Sequence, residues 1–446
     1  MVECGWSVWW GVVILRIFGR RRPVPARAAA PPDQGRERAE NLAVLEARQR
    51  VEDWRRMAGQ DASSLPGLGT ALNDLGLRLA DARDESAALA PTRESADIFR
   101  RLAGQDPAEF RLFLALALNN LGIRLSRTGS ERAALEPARE AVAIMRDLAE
   151  EEPAPHLPRL ANVLNGLGTR LVEAGDDRAG VETIGEAVGI QRRLADEDPA
   201  AHLPKLALML NRHGVHLGQA GDGDAALAAV GEAVETWRRL AEADAAAHLP
   251  NLVMGLINLG TQLSHAGDTA AAVEAVQEAI DHCRNLPFPA PYRTDLAVAL
   301  NGLGNFLAET GDREGAVNAA TESVSILRDL AGDDPDVHLP LLAVSVQNLG
   351  KRLAEIGQPE QALRSAREAV DIRRRAAESG RAEHLSGLAR SLCSAASIGD
   401  AHGIDLDASL KAVDEAILIY RAQAASGDDL AEAERIRAGL VQRTEV

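Results

Sequence analysis

Residues 155–199 read PHLPRLANVLNGLGTRLVEAGDDRAGVETIGEAVGIQRRLADEDP. Leu157, Leu160, Leu164, Leu167 and Leu171 recur at helical intervals and make one apolar stripe. Pro158 suits the first turn of that helix, where proline is tolerated. Gly175 can take the left-handed backbone that stops a helix, and Asp176 or Asp177 can cap the next one. Val181, Ile184, Ala187, Val188 and Leu194 form a second stripe. Asp198-Pro199 ends it, because the residue before a proline avoids the α region. The stretch is therefore two antiparallel helices joined by a short Gly-Asp turn.

The hairpin repeats. Tetrapeptides related to Asn-x-Leu-Gly end at Gly76, Gly122, Gly168, Gly214, Gly260, Gly304 and Gly350, with spacings of 46, 46, 46, 46, 44 and 46 residues. Other positions keep the same beat. Leu stands three residues after each of these glycines, from Leu79 to Leu353, and Glu stands eighteen after, from Glu94 to Glu368. A second Gly stands seven after in six of the seven units. Ala or Gly stands twelve after, and Ser or Ala nineteen after. A glycine in mid-helix costs about 1 kcal/mol against alanine. Its recurrence points to a close approach of the partner helix, which the small residue nineteen positions on would also permit. One hairpin cannot bury both of its stripes, so neighbours must stack.

The pattern Leu121-Gly122, Leu125, Ala134-Leu135, Glu140-Ala141 resembles the tetratricopeptide repeat. The resemblance covers roughly 64–400. It departs in length, since that family's period is about 34 residues. The terminal proline is displaced to Pro107, Pro153, Pro199 and Pro335, so both helices should be longer. The array is similar to the long-helix variety of kinesin-light-chain-like and bacterial signalling arrays. HEAT repeats share the period but lack the Leu-Gly-x-x-Leu core. The resemblance implies an all-α fold, a right-handed α-solenoid of about eight antiparallel helical hairpins.

At the front, 38–61 reads as a lone helix of the second type, a half-repeat, since Arg56-Met57-Ala58-Gly59-Gln60-Asp61 echoes the end of the next unit. The repeats lie near 64–107, 108–153, 154–199, 200–245, 246–289, 290–335, 336–381 and 382–427. The eighth is degraded, with Ala396 in place of the glycine and a longer loop expected at 399–407. Residues 428–446, charged on most faces, read as a C-terminal capping helix.

Residues 1–22 are apolar and then basic, with Trp6, Trp9, Trp10 and Phe18 followed by Arg20, Arg21 and Arg22; 23–37 reads as a linker. The apolar run is short for a membrane span, and its charge follows it, unlike a signal peptide. A membrane anchor or interfacial helix, a tail, and a cleaved signal all stay open. Three cysteines without a CxxC fit a reducing compartment. The expected location is the cytoplasm, with a membrane tether through 1–22 left open.

A net charge of −17 argues against a nucleic-acid partner. Hydrophobic residues make up 46% but aromatics only 3%, so the core must be aliphatic. The scarcity of lysine (Lys205, Lys351 and Lys411) beside abundant Arg and Ala suggests a GC-rich bacterial source. We find no phosphate loop, no GxSxG and no HExxH, and expect no catalytic, cofactor or metal site. His156, His202, His248, His338 and His384 share one repeat position and read as loop residues at a helix start. Stacked helices stand too far apart for them to share an ion. His213 and His216 are one helical turn apart but lack a third ligand. Acid clusters at Glu150-Glu151-Glu152, Asp196-Glu197-Asp198 and Asp333-Asp334 read as a solvated edge or a dock for a cationic partner.

The functional candidate is a ladder of amides. Asn73, Asn119, Asn165, Asn211 and Asn301, with Gln347, stand three residues before the core glycines. Asn120, Asn258 and Asn348 stand one position later. In the tetratricopeptide family the first helix lines the concave groove, and Asn there bonds the backbone of an extended peptide. A carboxamide donates and accepts, so one per repeat suits a strand. The competing reading is that these amides fix repeat stacking. Leu116, Thr169, Val215, Met254, Thr261 and Val344 make the neighbouring positions neutral or apolar, and Arg212 and Lys351 are the cations counted there. That differs from a Lys/Asn carboxylate clamp. The chain is expected to be a non-enzymatic scaffold for proteins or peptides, and self-association stays open. The alternative is a regulatory or sensor subunit of a bacterial signalling system.

Overall fold

Each acid that follows a second helix also starts the next hairpin. Asp198 has an extended backbone (φ −135°, ψ 86°), and its carboxylate accepts a hydrogen bond from Ala201 N at 3.2 Å. It caps the helix that Pro199 opens, so Asp-Pro closes one helix and begins another with a single residue between them. Asp106, Asp244 and Asp334 stand at the same joint. The last member of each acid cluster thus sits at a helix N-terminus, where negative charge is favourable, while the others lie in the last turn of the helix before it.

The computed structural model describes residues 34–285, 292–377, 382–423 and 427–444, which form helices and no strand. They fall into two units, one ending at Ala243 and one beginning at Asp244. The first holds α1 (Gln34–Gln60), α2 (Leu65–Asp81), α3 (Glu85–Gln105), α4 (Pro107–Arg127), α5 (Glu131–Glu151), α6 (Pro153–Glu173), α7 (Asp177–Glu197), α8 (Pro199–Gln219) and α9 (Gly223–Ala243). The second holds α10 (Ala245–His265), α11 (Thr269–Asn285), α12 (Arg293–Thr310), α13 (Arg313–Asp333), α14 (Pro335–Glu355), α15 (Pro359–Ala377), α16 (Ala382–His402), α17 (Leu406–Ala422) and α18 (Gly427–Thr444). Within each unit, successive helices pack on one another. The fold is an all-α solenoid of helical hairpins. Two helices of 21 residues, a turn of three and a joint of one make up the 46-residue period.

The turn is a Schellman closure. Gly175 has φ 88°; its N–H donates to Val172 O (2.9 Å), and Asp176 N donates to Leu171 O (2.8 Å). Asp176, not Asp177, then caps α7 through Ala179 N. The unit that lacks this glycine places Arg83 there at φ 65°.

Several expectations are corrected. Pro158 lies inside α6 and not in its first turn, because the helix already begins at Pro153. The carbonyl its ring leaves free belongs to exposed Ala154, where water can serve it. The recurrent histidines are likewise within the helices: His202 N donates to Asp198 O at 3.2 Å, one turn in. His384 falls in α16, with its side chain outside the described residues. The loop expected at 399–407 shrinks to 403–405, since Gly403 takes the left-handed turn position (φ 67°). Helix α1 starts at Gln34, inside the expected linker; the segment 1–22 lies outside the described residues. No helix among the described residues is long and apolar enough to cross a membrane.

The core glycine does mark a close crossing, but the partner stands twelve residues on, not nineteen. A β-carbon on Gly168 would lie 2.7 Å from Gly180 O, and one on Gly214 2.8 Å from Ala226 O. The small residue nineteen on makes a separate crossing farther up the first helix: Ser95 Oγ donates to Gly69 O, and Ser323 Oγ to Ala297 O, each at 2.7 Å. The periodic Glu also gains a partner. Arg100 pairs with Glu140 (2.5 Å), Arg146 with Glu186 (2.6 Å) and Arg192 with Glu232 (2.6 Å), linking the second helices of neighbouring hairpins. Arg284 with Glu322 and Arg328 with Glu368 continue this pattern in the second unit (2.8 Å each). These pairs are exposed, and each contributes about 0–1 kcal/mol.

Candidate functional site

The first helices of neighbouring hairpins meet along a row that contains the expected asparagines. Asn120 Nδ2 donates to Asn73 Oδ1 between α4 and α2 at 2.8 Å. Asn348 Nδ2 donates to Asn301 Oδ1 between α14 and α12 at 3.1 Å. Ser391 Oγ donates to Gln347 Oε1 at 3.0 Å. These amides make rungs between hairpins, the stacking role that competes with ligand binding. Burial separates the two units. In the second, Asn301 is 1% exposed and Gln347, Asn348 and Asn258 are also buried, while Lys351 is exposed. In the first, Asn211 is buried, but Asn73, Asn119, Asn120, Asn165 and Arg212 are half-buried. Asn165 Oδ1 is enclosed and has no partner. Leu77, Leu116 and Leu208 are exposed apolar side chains on the first helices of this unit.

A second series, two residues after each core glycine, escaped the sequence reading. It includes Arg124, Arg170 and Arg352, with His216 and Gln262 at the same position. Its periodicity was visible, but its contacts are made with the preceding hairpin. Arg124 pairs with Glu85 of the preceding hairpin. Arg170 is 4% exposed, and burial lowers its pKa to about 10. Arg352 is buried beside Glu355 (3.1 Å), and burial lowers its pKa too. The row therefore carries more cations than Arg212 and Lys351.

His216 is buried, with Nδ1 3.1 Å from Gln219 Oε1, and desolvation pulls its pKa from 6.5 to about 4. Burial lowers His213 as well. The folded state thus holds His216 neutral, while the unfolded chain takes up a proton below about pH 6.5. Its contribution to stability is full above that value, falls as the solution is acidified, and is lost below about pH 4. Chemical denaturation at about pH 7 and about pH 4 should show the wild type losing about 3 kcal/mol more than His216→Gln. Equal losses would refute the buried neutral imidazole. No group of three or more His, Cys, Asp or Glu side chains able to hold a metal occurs among the described residues.

Three stretches match the family model of the tetratricopeptide repeat, at 114–153, 296–336 and 342–385. The chain carries tetratricopeptide repeats. No curated protein matches the sequence. Among solved structures the tetratricopeptide array is similar to the apo form of RapI, at 12% identity and a TM-score of 0.50, covering 85% of this chain and 98% of that one. It is also similar to a STAND signal-transduction ATPase with a tetratricopeptide sensor, PH0952 from Pyrococcus horikoshii (12% identity, TM-score 0.47), covering 87% of this chain and 53% of that one. A third is BtubC from P. vanneervenii (23% identity, TM-score 0.45), covering 55% of this chain and 91% of that one. At such identities the likeness is one of fold.

Proposed function

We propose that the chain is a non-enzymatic scaffold that binds partner proteins or extended peptides along the first helices of its first unit, between Asn73 and Arg212. Tetratricopeptide repeats support an interaction role in general. The observation that carries the finer reading is the difference between the units. Asn301, Gln347 and Asn348 are buried and make rungs, although Asn301 Nδ2 and Gln347 Nε2 keep no partner. Around Asn119 and Asn165 the amides stay half-buried, and Asn165 Oδ1 is left without a partner. An extended backbone could donate to that oxygen, and exposed Leu116 and Leu208 would supply apolar contacts beside it. The test is cross-linking capture from cells that make the protein, with the wild type, Asn119→Ala/Asn165→Ala and, as a control on the outer face, Arg178→Gln. Partners lost from the double variant alone are the expected result. An unchanged set of partners would remove the row as the binding surface.

A further inference from the structure

The repeating frame leaves one core position that never repeats. The core glycine, the Leu three residues on and the Arg–Glu pairs of the second helices recur from hairpin to hairpin. Twenty-three residues after the core glycine, no two of the seven units carry the same residue. Phe99, Met145, Gln191, Cys283, Leu327 and Arg373 stand there, and all are buried. The position belongs to the second helix, which packs on the first helix of the following hairpin.

What the side chain meets there changes with it. The Phe99 ring stacks on Phe113 of α4, with centroids 5.4 Å apart. Gln191 Nε2 donates to His202 O of α8 at 3.2 Å and lies 3.2 Å from His202 Nδ1, while its Oε1 is enclosed without a partner. The Arg373 guanidinium lies over Gly387 of α16, where a β-carbon would come within 2.7 Å of NH1. Trp54 of α1 covers Gly67 of α2 in the same manner, and a β-carbon there would overlap the indole. Gly67, Phe113 and Gly387 each stand nine residues before the core position of their hairpin, at Gly76, Gly122 and Ala396. One place on the first helix thus answers one place on the second: large side chains meet glycine, and an aromatic meets an aromatic.

A frame identical in every hairpin would let a second helix accept any first helix, in its own chain or in another copy. Like units of repeat proteins misassemble in that way. A mismatch at this position carries a cost. Gln191 against an apolar helix would bury an amide with no partner, and Trp54 or Arg373 against a first helix bearing Phe113 would overlap it. Such penalties give specificity as much as matched contacts do. We propose that this residue, with what it meets on the next first helix, is a lock that fixes which hairpin stacks on which and turns away the hairpins of another copy. Gln191 and Arg373 suit that role, since an apolar residue would serve packing alone.

The test makes the locks alike. Gln191→Leu/Arg373→Leu repeats at two further seams the residue found at 327. Full-length chains labelled with a donor or an acceptor dye are unfolded in urea, then refolded either together or separately before mixing. Energy transfer in excess of the mixed sample measures stacking between copies, because association of folded chains is common to both samples. The wild type should show little excess. The Leu variant should show roughly tenfold more, the discrimination that one buried mismatch supplies. Its urea midpoint should match or exceed that of the wild type, a combination that a purely structural role would not give. Ile184→Val, which trims the core of α7 beside Gly168 and leaves the lock intact, should lower the midpoint without adding transfer. Gln191→Met/Arg373→Met, which repeats the residue at 145, serves if the Leu variant does not refold. No added transfer from a refolded variant, or an equal gain from Ile184→Val, overturns the proposal. Failure of both variants to refold would make these residues structural and overturns it as well.

Discussion

Gly168→Ala is expected to destabilise the first unit by about 2 kcal/mol, and Gly189→Ala to stabilise it by about 1 kcal/mol, although both glycines are in mid-helix. The added methyl at 168 would lie 2.5 Å from Ile184 Cγ1, 2.7 Å from Gly180 O and 3.0 Å from Ile184 N. Two of those atoms are backbone, so α7 as a whole would have to move. The crossing is reciprocal, since a β-carbon on Gly180 would stand 2.8 Å from Gly168 O. Around Gly189 nothing lies within 4 Å, so alanine there gains helix propensity without a clash. Urea denaturation of the two variants decides the matter. Shifts in the same direction would mean that the helices do not cross where described.

Trp237→Ala should cost about 3–5 kcal/mol, because the indole is fully buried in α9 and its loss leaves a cavity. Trp237→Phe should stay within about 1 kcal/mol of the wild type, since the indole N–H is buried without a partner and its removal relieves that cost. In an array each hairpin leans on its neighbours, so damage stays local. Hydrogen exchange in the alanine variant should quicken in α8 and α9 and leave α2 and α3 unaltered. A uniform loss of protection would show that the first unit unfolds all at once.

Much of the fold was legible because it is written within one repeat. Gly175 and its counterparts, the stripe of Leu160, Leu164, Leu167 and Leu171, and the Asp-Pro joints all act on neighbours in the chain. Where legibility failed, the partner lies a whole repeat away. The Glu at 140, 186 and 232 was seen, but its arginines at 100, 146 and 192 were not, although they keep the same beat. Arg124 and Arg170 went unremarked for the same reason: one helix in isolation shows them as ordinary surface cations. The asparagines were noticed as a ladder, yet only the stacked helices show Asn73 bonding Asn120 and Asn301 bonding Asn348.

The single residue at each Asp-Pro joint has a consequence for how such a chain can change. A helix turns about 100° per residue. One residue added between α7 and α8 would therefore turn the apolar stripe of α8 off α7, and a joint of one residue has no slack to absorb the error. Small insertions and deletions should be purged from these joints, whereas duplication or loss of a complete hairpin leaves every contact angle intact. The heritable quantum of length in this molecule is the whole 46-residue hairpin.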